Sequence, residues 1–539
     1  MKKTLEKPLA PDLYRYLPSI RRRQFLRLTA GASAAMLTAC GGGSGNGNAA
    51  PNKPQALGST STDVAATLTI QQQPVPNSVT LDPGFASLSY EKSHISTSPG
   101  VYFGANNTNL IGLLNALGGG VLRIGANSVD RMTWTPAGAG QVGNQVSQID
   151  VARFAGFIKQ CPNWKVIYGI NFAGAQNSQS SPALAAAEAA YAAQQLGSQL
   201  LAFEIGNEPD LYGNDNTPNL SGMTYSTFIN GGSVGQGTIA GWNQFAQAIR
   251  SAVSGAVFSG PAASSDKSGW AEDFAASETG SIALMTEHYY ISNYDNAAPS
   301  IAGMLTYPDT NLVLKLQALQ TAAQKNATLF RMGESNSYFS SADPAGVSNA
   351  FASALWAIDF VFTHAQYGAS GLNLHNNGTI AGYTAIGDAG GAVTAVQPLY
   401  YALAFFAQIF AGGTTGKLLN SNLTAKGIAL SAYAVGVADG ATYVIVNNKD
   451  TTYASNVTIA IGKTASQAQV TTLASSGANP TLQLENLGAY SGGSAITFGG
   501  QPIGLNGAWQ GAAQQTVAVS GQSVTLNVAA ASAALIRIV

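Results

Sequence analysis

The sequence predicts an α/β protein, a (β/α)8 TIM barrel followed by a C-terminal β-sandwich that also takes an N-terminal strand. Three observations carry this expectation. Between residues 83 and 412, short apolar strands alternate with longer stretches of helical periodicity, the pattern of a parallel sheet. Polar residues gather where those strands end, which in a barrel of this kind is the functional face. Beyond about residue 415 the texture changes to period-two alternation between Gly, Asn, Asp and Ser turns, as a sandwich requires.

The barrel strands are expected at 85–91, 120–127, 165–172, 200–208, 256–261, 282–290, 328–334 and 371–375. Helices are expected at 110–117, 149–161, 182–196, 239–253, 312–323, 348–364 and 397–410, several with apolar residues at helical spacing. The strand tips bring Tyr90-Glu91, Asn127, Asn171, Asn207-Glu208, His288-Tyr289-Tyr290, Glu334 and Asn373 to His375 and Asn376 to one end. Sandwich strands are expected at 442–446, 455–461, 469–473, 495–498, 515–519, 523–528 and 533–539. A lone strand near 66–70 cannot stand alone. It is expected to join the sandwich, so that segment 66–82 belongs with 413–539.

The first 40 residues read as a leader. Arg22-Arg23-Gln24-Phe25-Leu26-Arg27 has the twin-arginine pattern, and the apolar run 28–39 is too short to span a bilayer permanently. Leu37-Thr38-Ala39-Cys40 resembles a bacterial lipobox, which implies lipidation of Cys40 after cleavage. The alternative is a plain cleaved signal and a secreted protein. Residues 41–65, opening Gly41-Gly42-Gly43-Ser44-Gly45, form a flexible tether. The expected location is therefore the periplasm or cell surface, with the membrane touched only through the anchor.

Loss of the leader removes eight basic and two acidic residues, leaving 17 Lys+Arg against 24 Asp+Glu, a net −7. That balance argues against nucleic-acid binding. Cys161 is then the only cysteine beyond Cys40 and reads as a small apolar residue closing a helix. The four histidines, 94, 288, 364 and 375, lack metal-ligand spacing, so neither metal nor cofactor is expected.

The chemistry is expected in two carboxylates. Leu200 to Glu208 and Ala327 to Glu334 are each an apolar run ending in an abrupt polar tip. Two glutamates on strands four and seven would face each other across a barrel mouth. This is the raw material of a retaining glycosidase, which needs one carboxylic acid and one carboxylate about 5–5.5 Å apart.

Asn207-Glu208-Pro209 with Glu334 resembles the retaining glycoside hydrolases of clan A. Within it, the fuller motifs Phe203 to Tyr212, Leu122-Arg123-Ile124-Gly125, Glu287-His288-Tyr289-Tyr290, Arg331 to Tyr338 and Gln397-Pro398-Leu399-Tyr400-Tyr401 resemble family 79, the β-glucuronidase and heparanase family. The resemblance implies that Glu208 is acid/base and Glu334 nucleophile. Asn207 would hold the sugar 2-hydroxyl, and Arg123 with one of Tyr289 or Tyr290 would keep Glu334 ionised. Glu91 would accept from sugar hydroxyls. Tyr383 and the loop Ser337-Tyr338-Phe339-Ser340-Ser341 would receive a uronate carboxylate through a phenol and backbone N–H groups. Two departures stand out: Ala126 replaces a second glycine after Gly125, and Ser340-Ser341 replace glycines, narrowing the expected pocket.

Other side chains have structural readings. Glu204 is expected to be a buried hydrogen-bonded support. For Glu287 and His288, positioning a tyrosine stands level with touching substrate. Arg331, three residues before Glu334, is expected to point away from it in a salt bridge. The implied activity is exo-acting release of terminal β-linked glucuronic acid, including its 4-O-methyl form, from a glycan by a monomeric protein. The alternatives are another clan A β-glycosidase, such as a β-xylosidase or β-glucosidase, or a non-catalytic glycan-binding lipoprotein.

Overall fold

The computed structural model describes residues 63–539 apart from 97–101, 175–178, 215–216, 236, 265–268, 292–298, 340–345, 379–381 and 488–494. The expected leader with Cys40, most of the expected tether and Ser340-Ser341 lie outside the described residues.

Eight parallel strands close into a barrel in chain order. They are β1 (Ala86–Glu91), β2 (Gly120–Gly125), β3 (Trp164–Ile170), β4 (Leu200–Ile205), β5 (Phe258–Ala263), β6 (Leu284–Tyr290), β7 (Leu329–Asn336) and β8 (Leu372–Asn376). Closure is made by β8 on β1, from Leu372 against Ala86 to Asn376 against Tyr90. The strands are buried on both faces, as helices outside and side chains inside demand, so they read as apolar runs.

Each strand is followed by a helix: α1 (Thr108–Ala116), α2 (Gln148–Ile158), α3 (Pro182–Leu196), α4 (Trp242–Ala252), α5 (Trp270–Ser277), α6 (Thr310–Lys325), α7 (Ala352–Gln366) and α8 (Pro398–Ile409). Their starts are encoded locally. Ser147 and Asp150 make a reciprocal capping box on α2, Ser181 caps α3 ahead of Pro182, and Asp309 accepts from Asn311 N and Leu312 N on α6. The expected helix set lacks α5. At two turns it is too short to establish a period, although Trp270, Phe274 and the small Ala271 and Ala275 do form one stripe.

The C-terminal layer is one ten-stranded sheet folded over itself. Its strand Gly416–Ala425 serves both halves: Gly416 to Leu418 pair with Leu430–Val437, and Leu419 to Ala425 pair with the N-terminal strand Val64–Pro74. That strand also runs parallel to Ser455–Ala460, filling the gap between two C-terminal strands. Ala66, Leu68 and Ile70 face inward while their neighbours are exposed. Slipping the register by one residue would turn all three to water. Facing them are Val457, Ile459, Leu526, Val444, Val446 and Ile536, a core shared by both halves. The strands at 416–425 and 430–437 escape sequence reading because Asn420-Ser421-Asn422 and Ala432, Ala434 and Gly436 blur the alternation.

The other face of this sheet covers α7, which is apolar all round and buried from Ala352 to Ala365. Phe362 stacks on Tyr433 with centroids 4.7 Å apart. Between them and the sheet, Asp359 accepts from Ser431 Oγ at 2.5 Å, Tyr433 OH at 3.1 Å and Asn447 Nδ2 at 3.0 Å, and forms a buried ion pair with Lys449. Removing one partner of such a pair strands the other charge. Asp359→Ala is expected to cost about 3–5 kcal/mol, read from urea unfolding; a loss under about 1 kcal/mol would show the junction to be held by apolar packing alone.

Candidate active site

The site is assembled around the guanidinium of Arg123, delivered inward by β2 and fully buried. Its Nε donates to Glu204 Oε2 at 2.5 Å, Nη1 to Glu334 Oε2 at 2.8 Å and Ser89 Oγ at 3.3 Å, and Nη2 to Asn207 Oδ1 at 2.9 Å. One side chain thus ties β1, β2, the β4 tip and β7. Burial acts to lower its pKa, but Glu204 and Glu334 outweigh it and the net shift is upward. Glu204 is held on its other oxygen by Thr286 Oγ1 at 2.8 Å, so it is the support expected of it.

Glu334 reaches the same centre through a break in register. On β6, Glu287 pairs with Met332 and His288 with Glu334, which leaves Gly333 as a bulge. The bulge reverses the alternation, so Arg331 and Glu334 both turn inward. This corrects the expectation for Arg331. It makes no ion pair among the described residues; its Nε donates to Asn373 Oδ1 at 2.6 Å, and its other nitrogens to the carbonyls of Gly84, Phe85, Ser370 and Leu372. Burial depresses its pKa to about 9.

Tyr290 OH donates to Glu334 Oε1 at 2.9 Å, and His375 Nδ1 lies 3.8 Å from Oε2. Burial opposes ionisation of Glu334, but His375, His288, Arg123 and the Tyr290 hydrogen bond outweigh it and bring its pKa down to about 2. Glu208 differs. It follows Gly206 (φ 83°) and itself takes a left-handed φ of 48° beyond the end of β4. Its Oε1 lies 2.9 Å from His288 Nδ1, and its side chain is 20% exposed against 9% for Glu334.

The turn that aims Glu208 rests on Asp130. Its Oδ1 accepts from Phe172 N and Ala173 N, both at 3.0 Å, and its Oδ2 from Asn207 N at 3.1 Å and Tyr212 OH at 2.7 Å. Asn207 Nδ2 reaches Asn127 Oδ1 at 3.4 Å. Ala126, at the departure noted after Gly125, sits at φ 57° and is buried, a conformation that would suit the glycine it replaces.

Not every expected residue arrives. Tyr290 is the tyrosine on Glu334; its neighbour Tyr289 points to the opposite side, donates to Asp309 Oδ2 at 2.6 Å and stacks on Phe360 of α7. Tyr289 therefore lies outside the pocket. Tyr338 is also turned away, its hydroxyl donating to Ser300 O at 3.3 Å, so only its backbone could serve a ligand. Phe339 and Tyr383 are brought to the Glu334 side, each packing edgewise on Tyr290, and Tyr383 also packs beside His375. Glu91 is half-buried at the mouth with Oε2 accepting from Ser128 N at 2.6 Å. Ser341 lies outside the described residues. Glu287 faces outward in an ion pair with Lys315, while His288 faces Glu208, so neither is bonded to a tyrosine among the described residues. Sequence reasoning missed Asp130, and it placed His288 and His375 at the strand tips without pairing them with the two glutamates. A lone carboxylate just past a strand tip, in a chain only 9% charged, was the available signal for Asp130.

Among the described residues no group of three or more His, Cys, Asp or Glu is placed to hold a metal ion. No protein-family profile and no curated protein matches the chain. Solved structures do. A 4-O-α-L-rhamnosyl-β-D-glucuronidase from Fusarium oxysporum 12S, in complex with Rha-GlcA, is 19% identical and superposes with a TM-score of 0.67, covering 88% of this chain and 100% of that one. A family 51 arabinofuranosidase from Xanthomonas axonopodis pv. citri, at 15% identity, gives 0.63 over 88% and 100%. A family 44 xyloglucanase from Paenibacillus polymyxa, at 11%, gives 0.55 over 88% and 99%. The chain has the fold of the clan A glycoside hydrolases.

The Glu334 pKa has a consequence for stability. Lying below its ordinary value, it contributes stability that is present above about 4.5 and lost as pH falls through about 2. Whatever the offset between them, the stability of the wild type relative to Glu334→Gln is expected to fall across that window, measured by denaturant unfolding at fixed pH. A difference independent of pH would show that Glu334 ionises no more readily in the folded protein than in the unfolded chain.

Proposed function

We propose that the protein is a retaining β-glycosidase that releases terminal β-linked glucuronic acid from glycans, as the resemblance to family 79 implies. The observation carrying this reading is the contrast between its two mouth carboxylates. Glu334, held ionised against Arg123 and Tyr290, suits attack on an anomeric carbon. Glu208, more exposed and bonded among the described residues to His288, suits the group that first gives a proton to the leaving oxygen and then takes one from water.

The steps follow from these positions. Glu334 Oε displaces the glycosidic oxygen while Glu208 protonates it, giving a glycosyl ester on Glu334 and the free aglycone. Water, deprotonated by Glu208, then attacks the same carbon and restores both carboxyl groups. Asn207, locked by Arg123 and Asn127, presents its amide to the 2-hydroxyl, where a hydrogen bond strengthens as positive charge develops. The uronate carboxylate is assigned to the Tyr383 phenol and the backbone of Tyr338 and Phe339. Support comes from the packing of Tyr383 and Phe339 on Tyr290, and from the likeness in fold to the Fusarium rhamnosyl-glucuronidase. Export and lipid anchoring at Cys40 complete the reading, placing the enzyme where polymeric glycans are met.

Protein lacking residues 1–40 is expected to hydrolyse p-nitrophenyl β-D-glucuronide far faster than the β-glucoside or β-xyloside. Glu334→Gln should lose roughly 10^4-fold or more of that activity. Preference for a neutral sugar would overturn the uronate assignment and leave the carboxylate pair standing. Binding without turnover in the wild type would favour a glycan-binding lipoprotein. Tyr383→Phe is expected to lower kcat/KM for the glucuronide about tenfold more than for the matching glucoside, the worth of one hydrogen bond to a charged group; equal losses would remove Tyr383 from carboxylate recognition.

A further inference from the structure

We infer that His288 assigns separate roles to the two oxygens of Glu208: its ring, protonated at Nδ1, holds Oε1 as an acceptor and leaves Oε2 to give and take the catalytic proton. This rests on the reading of Glu208 as acid/base and names the positioning residue behind it. His288 lies on β6, where it pairs with Glu334 of β7, and its side chain is fully buried. Its Nδ1 is 2.9 Å from Glu208 Oε1. Asp130 fixes the backbone turn that carries Glu208, but rotation about the last bond of a glutamate side chain is soft. Among the described residues, the imidazole is the group that stops it.

A separation of 2.9 Å suits either tautomer of the ring. With the proton on Nδ1, the ring donates to Oε1. With the proton on Nε2, Nδ1 accepts instead, and Glu208 would carry its own proton on Oε1, aimed at the ring and away from a leaving oxygen. The second nitrogen decides between them. Nε2 is buried and has no hydrogen-bond partner among the described residues. A proton placed there would be a donor sealed from water with nothing to accept it, and among buried backbone groups orphaned N–H donors are rarer than under-satisfied acceptors. The neutral ring therefore keeps its proton on Nδ1. The help that His288 gives to ionisation of Glu334 belongs to the acid range, about 2, in which that carboxyl titrates.

The tautomer fixes what each oxygen does. Oε1 accepts from Nδ1–H whether or not Glu208 is protonated, so the carboxyl need not turn between the two halves of the reaction. The Glu208 side chain is 20% exposed while the ring on Oε1 is sealed, which leaves Oε2 as the oxygen open to the mouth. In the first step the Oε2–H bond breaks as the glycosidic oxygen takes the proton. In the second, Oε2 takes a proton from the attacking water, and that single proton is all that Glu208 exchanges.

Nitrogen NMR of histidine-labelled protein reads the tautomer directly, with the His288 signals assigned by their loss in His288→Asn. The expected result is a protonated Nδ1 and a bare Nε2; a proton on Nε2, with or without one on Nδ1, would overturn the inference. Kinetics test the consequence. A p-nitrophenyl leaving group departs with little need of a proton, whereas a methoxyl group needs one. His288→Phe is therefore expected to lose about tenfold more kcat/KM on methyl β-D-glucuronide than on p-nitrophenyl β-D-glucuronide, the worth of one hydrogen bond to a charged group. His288→Asn, which restores an N–H near the place of Nδ1, should recover part of that difference. Equal losses on the two substrates would overturn the positioning role and leave His288 as packing. If His288→Phe does not fold, the wild-type spectrum and His288→Asn carry the test. No turnover of either glucuronide by the wild type would overturn the underlying function instead, while the spectrum would still report the tautomer.

Discussion

A guanidinium with no access to water, held between two carboxylates, is the constraint on which the site depends. Arg123 could not be buried alone, because the desolvation cost of an unpaired charge in a barrel interior is several kcal/mol. Glu204 and Glu334 offset that cost, and Tyr290 adds a hydrogen bond to the carboxylate of Glu334. Glu204 is what makes the arrangement directional. With one oxygen bonded to Thr286 and the other to Arg123 Nε, it fixes the rotation of the guanidinium, which in turn positions both Glu334 and Asn207.

The barrel mouth carries backbone strain to match. Ala126, Glu208 and Ala262 all take left-handed φ values beyond or at the ends of β2, β4 and β5, where non-glycine residues are uncommon. These positions are tied together: Glu208 N donates to Ala262 O at 2.9 Å, and Ala262 N donates to Thr286 Oγ1 at 3.0 Å. The strained turns are therefore fastened to the same Thr286 that orients Glu204. Strain of this kind persists only where surrounding hydrogen bonds over-determine it, and here they do.

The barrel was legible in the sequence because parallel strands buried on both faces must be apolar and because their tips carry the polar residues. Glu208, Glu334 and Asn207 were legible as strand-tip residues, whereas Arg123, inside its strand, was named only through the resemblance of its motif. What escaped reading depends on phase. Choosing between Tyr289 and Tyr290 requires knowing which of two adjacent residues points inward, and the chain contains no local signal for that. The bulge at Gly333 reverses the phase on β7, so counting three residues back from Glu334 places Arg331 on the wrong side. Asp130 acts through backbone N–H groups of Phe172, Ala173 and Asn207, which no side-chain pattern records. Short α5 and the Asn-rich strand Gly416–Ala425 lacked enough period to be seen.

The N-terminal strand has a temporal meaning. Val64 and Ser455 hydrogen-bond across a sequence separation of 391 residues. At ordinary synthesis rates the first strand waits roughly 20–80 s for its partner to leave the ribosome. Until residues 416–460 have emerged, its inward residues Ala66, Leu68 and Ile70 lack their neighbouring strands, and the inner sandwich core that they complete remains open. The place of the first strand in the sheet is thus set by residues 416–460, which emerge long after it.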